Sequence, residues 1–206
     1  MLEDITLGMT YLHENDVLHY SLKSTNIQVE ENNGIMNFKI NDFGLRDIVR
    51  HTNVKKLQNK NSKDTDKNVD NDIKEYWLSR EALKDKKCYQ SHDDIYSFGI
   101  LLYEIISGEI PFKNMNWHEF MNELENDEDT LKSLDGKAPN KLLNLMRKCL
   151  NKNPKVRPEF KHLLQEIQNL KKELNNNKHI VKELFNFFGP VVSSKSNKII
   201  LDNKRF

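Results

Sequence analysis

Three short stretches concentrate the residues able to do chemistry. His19-Tyr20-Ser21-Leu22-Lys23-Ser24-Thr25-Asn26 gathers an imidazole, hydroxyls, an ammonium and an amide within eight positions. Asp42-Phe43-Gly44 sets a carboxylate before an aromatic ring and a glycine, and Asp94 opens a long apolar run. Asp42 offers a carboxylate and Asn26 an amide oxygen. Spacing argues against other chemistries. Cys88 and Cys149 stand far apart with no C-x-x-C pattern, which speaks against a disulfide framework or a zinc site and fits a reducing compartment. The histidines outside the first stretch carry no ligand spacing, and there is no G-x-G-x-x-G phosphate loop.

The elements that must position these residues can be read from periodicity. Leu2, Ile5, Met9 and Leu12 recur near a 3.6 period up to Glu14-Asn15-Asp16, which predicts a helix that starts without a cap. After the first stretch, Ile27-Gln28-Val29 and Ile35 to Ile40 flank Asn33-Gly34, the pattern of a β-hairpin with a tight turn. From Asp93 the apolar residues Ile95, Phe98, Leu101, Leu102, Ile105 and Ile106 cover almost every side of one helix, so it should be central and buried. It should stop at Ser107-Gly108. Helices are further expected around Trp117 to Leu124, at Leu142 to Leu150, and after Pro158 with Phe160, Leu163, Leu164, Ile167, Leu170 and Leu174 on one stripe. Asn175 to Asn177 should interrupt the last of these, and Ile180 to Phe188 forms a second apolar patch.

Taken in order, these stretches resemble the C-terminal lobe of the eukaryotic protein kinase superfamily, whose catalytic loop reads H-R-D-L-x-x-x-N and whose metal-binding turn reads D-F-G. Trp77-Leu78-Ser79-Arg80-Glu81 stands where that family has A-P-E, and Arg157-Pro158 matches the arginine before its last helix. The resemblance implies a mainly α fold with a small β-hairpin, an α+β kinase-like C-lobe over residues 1–172, with a mobile activation-segment insert at 50–74 and a helical or irregular tail at 173–206. It implies that Asp42 and Asn26 hold magnesium against nucleotide phosphates and that Lys23 neutralises charge on the transferred phosphoryl group. His19, Phe43 and Gly44 would be structural. Glu81 and Arg157 would form a buried ion pair, and Asp94 would accept hydrogen bonds from the catalytic-loop backbone. Trp77, Phe98 and Trp117 are expected in the core.

Two departures qualify that picture. Ser21 occupies the place of the catalytic aspartate, and Tyr20 that of the arginine which reads a phosphorylated activation loop. The chain also begins inside the helix before the catalytic loop, so the N-terminal lobe with its Gly-rich loop and strand lysine is expected to be missing. Mg-ATP is the cofactor expected of the family, and this chain alone is expected not to bind it; Asn26 and Asp42 would then keep a loop geometry without a metal. The expected function is that of a pseudokinase, a regulatory or binding module in signalling. The H-x-S-L-K-S-x-N form resembles the kinase-homology region of receptor guanylate cyclases, and Leu150-Asn151-Lys152-Asn153 resembles the Raf and kinase-suppressor group. The rival expectation is a fragment of an active serine/threonine or tyrosine kinase.

Composition bounds the partners. Lys+Arg 32 against Asp+Glu 31 leaves a net charge of +1, which argues against nucleic acid. No run of 18 apolar residues and no signal peptide are visible, so no membrane insertion is expected and the chain reads as cytoplasmic, or as the cytoplasmic part of a receptor. Other signalling proteins or kinase domains are the expected partners, with a dimer through residues after 172 as one form. Hydrophobic content of 37% averages an apolar helical lobe with a polar insert rich in Lys, Asn and Asp.

Overall fold

The computed structural model describes residues 1–43, 76–85, 88–112, 115–125 and 134–176. The expected activation-segment insert, Gly44, and the Ile180 to Phe188 patch lie outside the described residues. Within them the order is α1 (Leu2–Glu14), a 3₁₀ turn (Ser24–Asn26), β1 (Ile27–Asn32), β2 (Ile35–Ile40), α2 (Arg80–Lys84), α3 (Ser91–Ser107), α4 (Trp117–Glu125), α5 (Asn140–Cys149), a 3₁₀ turn (Pro154–Val156) and α6 (Phe160–Asn176). The class is mainly helical with one two-stranded antiparallel sheet.

The centre of the molecule is α3. Ile95, Phe98, Ile100, Leu101, Leu102, Ile105 and Ile106 are all buried, and Gly99 lies so close to the loop after α5 that an added Cβ would meet Leu150 Cγ at 2.7 Å. Close packing on every side explains why the helix shows no polar face. It starts two residues earlier than the apolar run, at Ser91, because Gln90 and Asp93 cap each other. Asp93 Oδ2 accepts the Gln90 N–H at 2.7 Å. Gly108, at φ 74°, ends it in the left-handed conformation that glycine adopts without penalty.

Against α3 pack α1, α5 and α6 in one continuous core with the inner face of the hairpin, where Ile27 and Val29 are buried and Phe38 and Ile40 half-buried. The strands pair Ile27 with Ile40 and Asn32 with Ile35, and Asn33 and Gly34 have φ of 53° and 78°. A two-residue turn with both φ positive matches the strand twist, which is why Asn-Gly specifies it. α1 and α6 run antiparallel: His13 meets the Phe160 ring edge-on at 4.9 Å, and at the other end Glu3 bonds Gln168 and Lys171. α6 begins at Phe160, two residues after Pro158, and continues without interruption through Asn175 to Asn176. The boundary expected at 172 therefore falls inside a helix.

Candidate active site: a loop held by one buried carboxylate

The segment after α1 is tied to the first turn of α3. Asp94 is wholly buried and accepts the N–H of His19 at Oδ2 (2.8 Å) and that of Tyr20 at Oδ1 (2.9 Å). Tyr89 Oη donates to Oδ1 at 2.7 Å, and His13 Nε2 lies 3.0 Å from Oδ2. Burial, then the negative charge of Asp94, push the Tyr89 hydroxyl well above its ordinary pKa, so it stays a donor. Tyr20 sits at φ 67°, a left-handed conformation that costs an aromatic residue on the order of 1–2 kcal/mol. The charge-assisted bonds to Asp94 offset that strain. The Tyr20 ring lies 4.6 Å from that of Tyr89, and Leu78, Ala82 and Leu83 complete a small apolar cluster around the two. Where the resemblance would put a charge-reading arginine, the chain has packed hydrocarbon.

His19 is buried, and burial lowers its pKa against the opposing pull of Asp94 and then Asp42. Its Nδ1 accepts the Ser21 N–H at 3.2 Å, so in the neutral ring the proton is on Nε2. Leu22, fully buried, pins the loop to the core. Asn26 closes it: Nδ2 donates to the Ser21 carbonyl at 2.7 Å and to Ser21 Oγ at 3.1 Å. Both donors thus go to Ser21, and Oδ1 is the atom left for a ligand.

The hairpin brings Asp42 to Asn26. The Asn41 N–H bonds the Asn26 carbonyl at 2.9 Å, one step beyond the Ile27 to Ile40 pair, so the chain leaves β2 beside the turn that holds Asn26. Asp42 then turns at φ 63° with its carboxylate exposed. One carboxylate and one amide oxygen at the same end of a hairpin fit a magnesium ion that draws its remaining ligands from phosphate and water. Among the described residues no group of three or more His, Cys, Asp or Glu could hold a metal unaided. Lys23 lies with Nζ 5.7 Å from the centre of the Trp77 ring, a cation–π contact. Phe43 is 49% exposed.

A second set of bonds fixes the segment that follows the undescribed stretch. The Arg157 side chain is only 1% exposed, with Nε on the Asn151 carbonyl (2.8 Å), one terminal nitrogen on that of His92 (3.1 Å) and the other 3.2 Å from Glu81. Glu81 itself is 30% exposed, so the pair is half in water. Ser79 caps α2 by accepting the Ala82 N–H and donates to buried Asp93. Trp77, expected in the core, is only half-buried, and its indole N–H donates to Glu104 Oε2 at 2.7 Å. The Trp117 side chain, also expected in the core, lies outside the described residues.

Sequence reasoning passed over Glu104. It is wholly buried in α3, and its Oε1 accepts Ser24 Oγ at 3.0 Å. A glutamate inside an otherwise apolar helix was the available signal, because a buried carboxylate requires partners.

A family model described as protein tyrosine and serine/threonine kinase matches residues 1–167. A probable serine/threonine-protein kinase, kinX, of Dictyostelium discoideum is 33% identical over 84% of the chain. The insulin receptor-related protein of Homo sapiens is 31% identical over 82%, and the dual specificity protein kinase pyk3 of D. discoideum 30% over 83%. The matches span 14%, 12% and 11% of those proteins' own lengths.

Proposed function

The chain belongs to the protein tyrosine and serine/threonine kinase family, and from that premise we propose a kinase-like domain with impaired phosphoryl transfer, serving signalling as a regulatory or binding module. The observation that carries this reading is Ser21. The loop around it is fully bonded to Asp94 and Asn26, yet the side chain where the substrate hydroxyl would lose its proton is itself a hydroxyl. General-base help of this kind is typically worth about 10²–10⁴-fold, and Ser21 cannot supply it. This chain alone is proposed not to bind Mg-ATP; with an N-terminal lobe present, Asn26 and Asp42 would hold magnesium and Lys23 would meet phosphate. Magnesium, when bound with ATP, screens the charge of the phosphates. Nucleotide binding with little transfer is therefore compatible with the site once that lobe is present.

Within the family, the His19 to Asn26 pattern supports the kinase-homology region of a receptor guanylate cyclase, and Leu150 to Asn153 supports the Raf and kinase-suppressor group. Other signalling proteins, kinase domains or a second copy docking through residues after 172 are the proposed partners. A second reading, an active kinase, is favoured by the names of the relatives and by the presence of Lys23, Asn26 and Asp42. The test is phosphate transfer from ATP by the protein as expressed in its own cells, with whatever sequence flanks these residues. Wild type should match Ser21→Ala, and Ser21→Asp should gain roughly 100-fold. Wild-type turnover in the usual kinase range of about 1–100 s⁻¹ would overturn the reading.

A further inference from the structure

Glu104 lies at the meeting point of two segments of the chain. From the catalytic loop Ser24 donates to Oε1, and from the segment before α2 Trp77 donates to Oε2. Lys23, next to Ser24, covers the face of the same Trp77 ring. The three side chains and the carboxylate form a closed set, Lys23 on indole, indole on carboxylate, carboxylate on the hydroxyl adjoining Lys23. We propose that Glu104 is a positioning residue that clamps the Lys23–Ser24 end of the catalytic loop to the Trp77 segment, and that the gain or loss of one proton on Glu104 switches the clamp. The proposal stands whether or not the site transfers phosphate.

The geometry gives the two states. As a carboxylate, Glu104 accepts from both Ser24 and Trp77, and its charge attracts Lys23, so all three ties act together. As a carboxylic acid it has one hydroxyl. Trp77 keeps the carbonyl oxygen, because an indole N–H can only donate. The new O–H turns to Ser24 Oγ, whose own hydrogen must leave the pair, and the attraction for Lys23 disappears. Deprotonation returns that proton to solvent and reverses the Ser24 bond.

The burial of Glu104 places this exchange in an accessible range. Burial raises its pKa, Trp77 and Ser24 lower it, and the balance stands at about 7. Lys23 is the charged group that acts on it, and it favours the carboxylate. The other groups facing it, Ser24 from the loop and Trp77 from the segment before α2, are neutral.

The test follows the Trp77 indole N–H by NMR in a Trp117→Phe background, which leaves one indole signal, as pH is raised from 5.5 to 8.5. A single sigmoidal shift with a midpoint near 7 is expected, and Glu104→Gln should abolish it. A flat resonance in the parent, or a titration that survives Glu104→Gln, would overturn the proposal. Should Glu104→Gln fail to fold, Ser24→Ala reads the same clamp. Removing a donor that favours the carboxylate must move the midpoint upward, and an unmoved or lowered midpoint sinks the idea.

Discussion

Replacing Asp94 by asparagine keeps the volume of the side chain and removes one acceptor and the charge. The carboxylate receives two donors on each oxygen, with Tyr20 N–H and Tyr89 Oη on Oδ1 and His19 N–H with His13 on Oδ2. Asparagine can serve only one side. Its best orientation leaves the oxygen with Tyr20 and Tyr89 and turns the NH₂ toward His19, where two N–H groups face each other. His13 can accept from that NH₂ by changing tautomer, a partial compensation. The buried His19 N–H left without a partner costs about 1–3 kcal/mol. The remaining bonds lose their charge assistance, about 1 kcal/mol more. Tyr20 keeps its acceptor, so its left-handed strain is not relieved. The net expectation is a loss of about 3 kcal/mol. With a urea slope of about 2 kcal/mol/M this shifts the midpoint down by about 1–2 M at unchanged slope. Hydrogen exchange of the His19 and Tyr20 amides should accelerate beyond the global change. A shift under about 0.5 M with both amides still protected would refute the idea that this carboxylate holds the loop.

Three further outcomes follow from the same packing. Glu104, at about 7 in the folded chain against 4.5 as an ordinary carboxyl, holds its proton more tightly when folded, so its contribution is fully present below pH 4.5. Stability should fall by up to about 3 kcal/mol as pH rises from 4.5 through 7, and Glu104→Gln should remove that slope from urea titrations run across the range. Arg157→Lys cannot reach the Asn151 and His92 carbonyls and Glu81 together and leaves a buried charge poorly paired, so a loss of about 3 kcal/mol is expected in the same assay. A loss below about 1 kcal/mol would mean that the guanidinium fork is not what joins these segments. Gly99→Ala drives a methyl to 2.7 Å from Leu150 Cγ and 3.0 Å from Cys149 Cβ, and should lower Tm by several degrees through a loss of about 1–3 kcal/mol. An unchanged Tm would mean that Leu150 moves aside freely.

Periodicity was enough to locate the frame because burial in this lobe is strongly patterned. The Asn33-Gly34 turn, the all-round apolar face of α3 and the stripe of α6 each follow from one physical rule applied to a few residues. Boundaries were less legible. Gln90 is an uncommon N-cap, so the start of α3 at Ser91 was hidden until Asp93 was seen bonding back to it. Asn175 to Asn177 read as a break; helical continuation costs each asparagine only a fraction of a kcal/mol, and within the described residues the helix reaches Asn176. At the site, residue identity located Ser21, Asn26, Asp42 and Asp94, because each sits in a motif. Glu104 and Trp77 were misjudged for a shared reason. Their roles depend on a contact between residues 27 positions apart, which no local pattern encodes.

The antiparallel seam between α1 and α6 also has a consequence for biosynthesis. Glu3 finds Lys171 across 168 positions, and His13 meets Phe160 nearly as far along the chain. At about 5–20 residues per second, a ribosome needs roughly 10–30 s between making the two sides of that seam. Throughout that interval Ile5, Met9 and Leu12 have been made and their partner helix has not. α1 thus waits on a helix made much later, and the nascent chain is a client for whatever shields apolar helices until α6 has emerged.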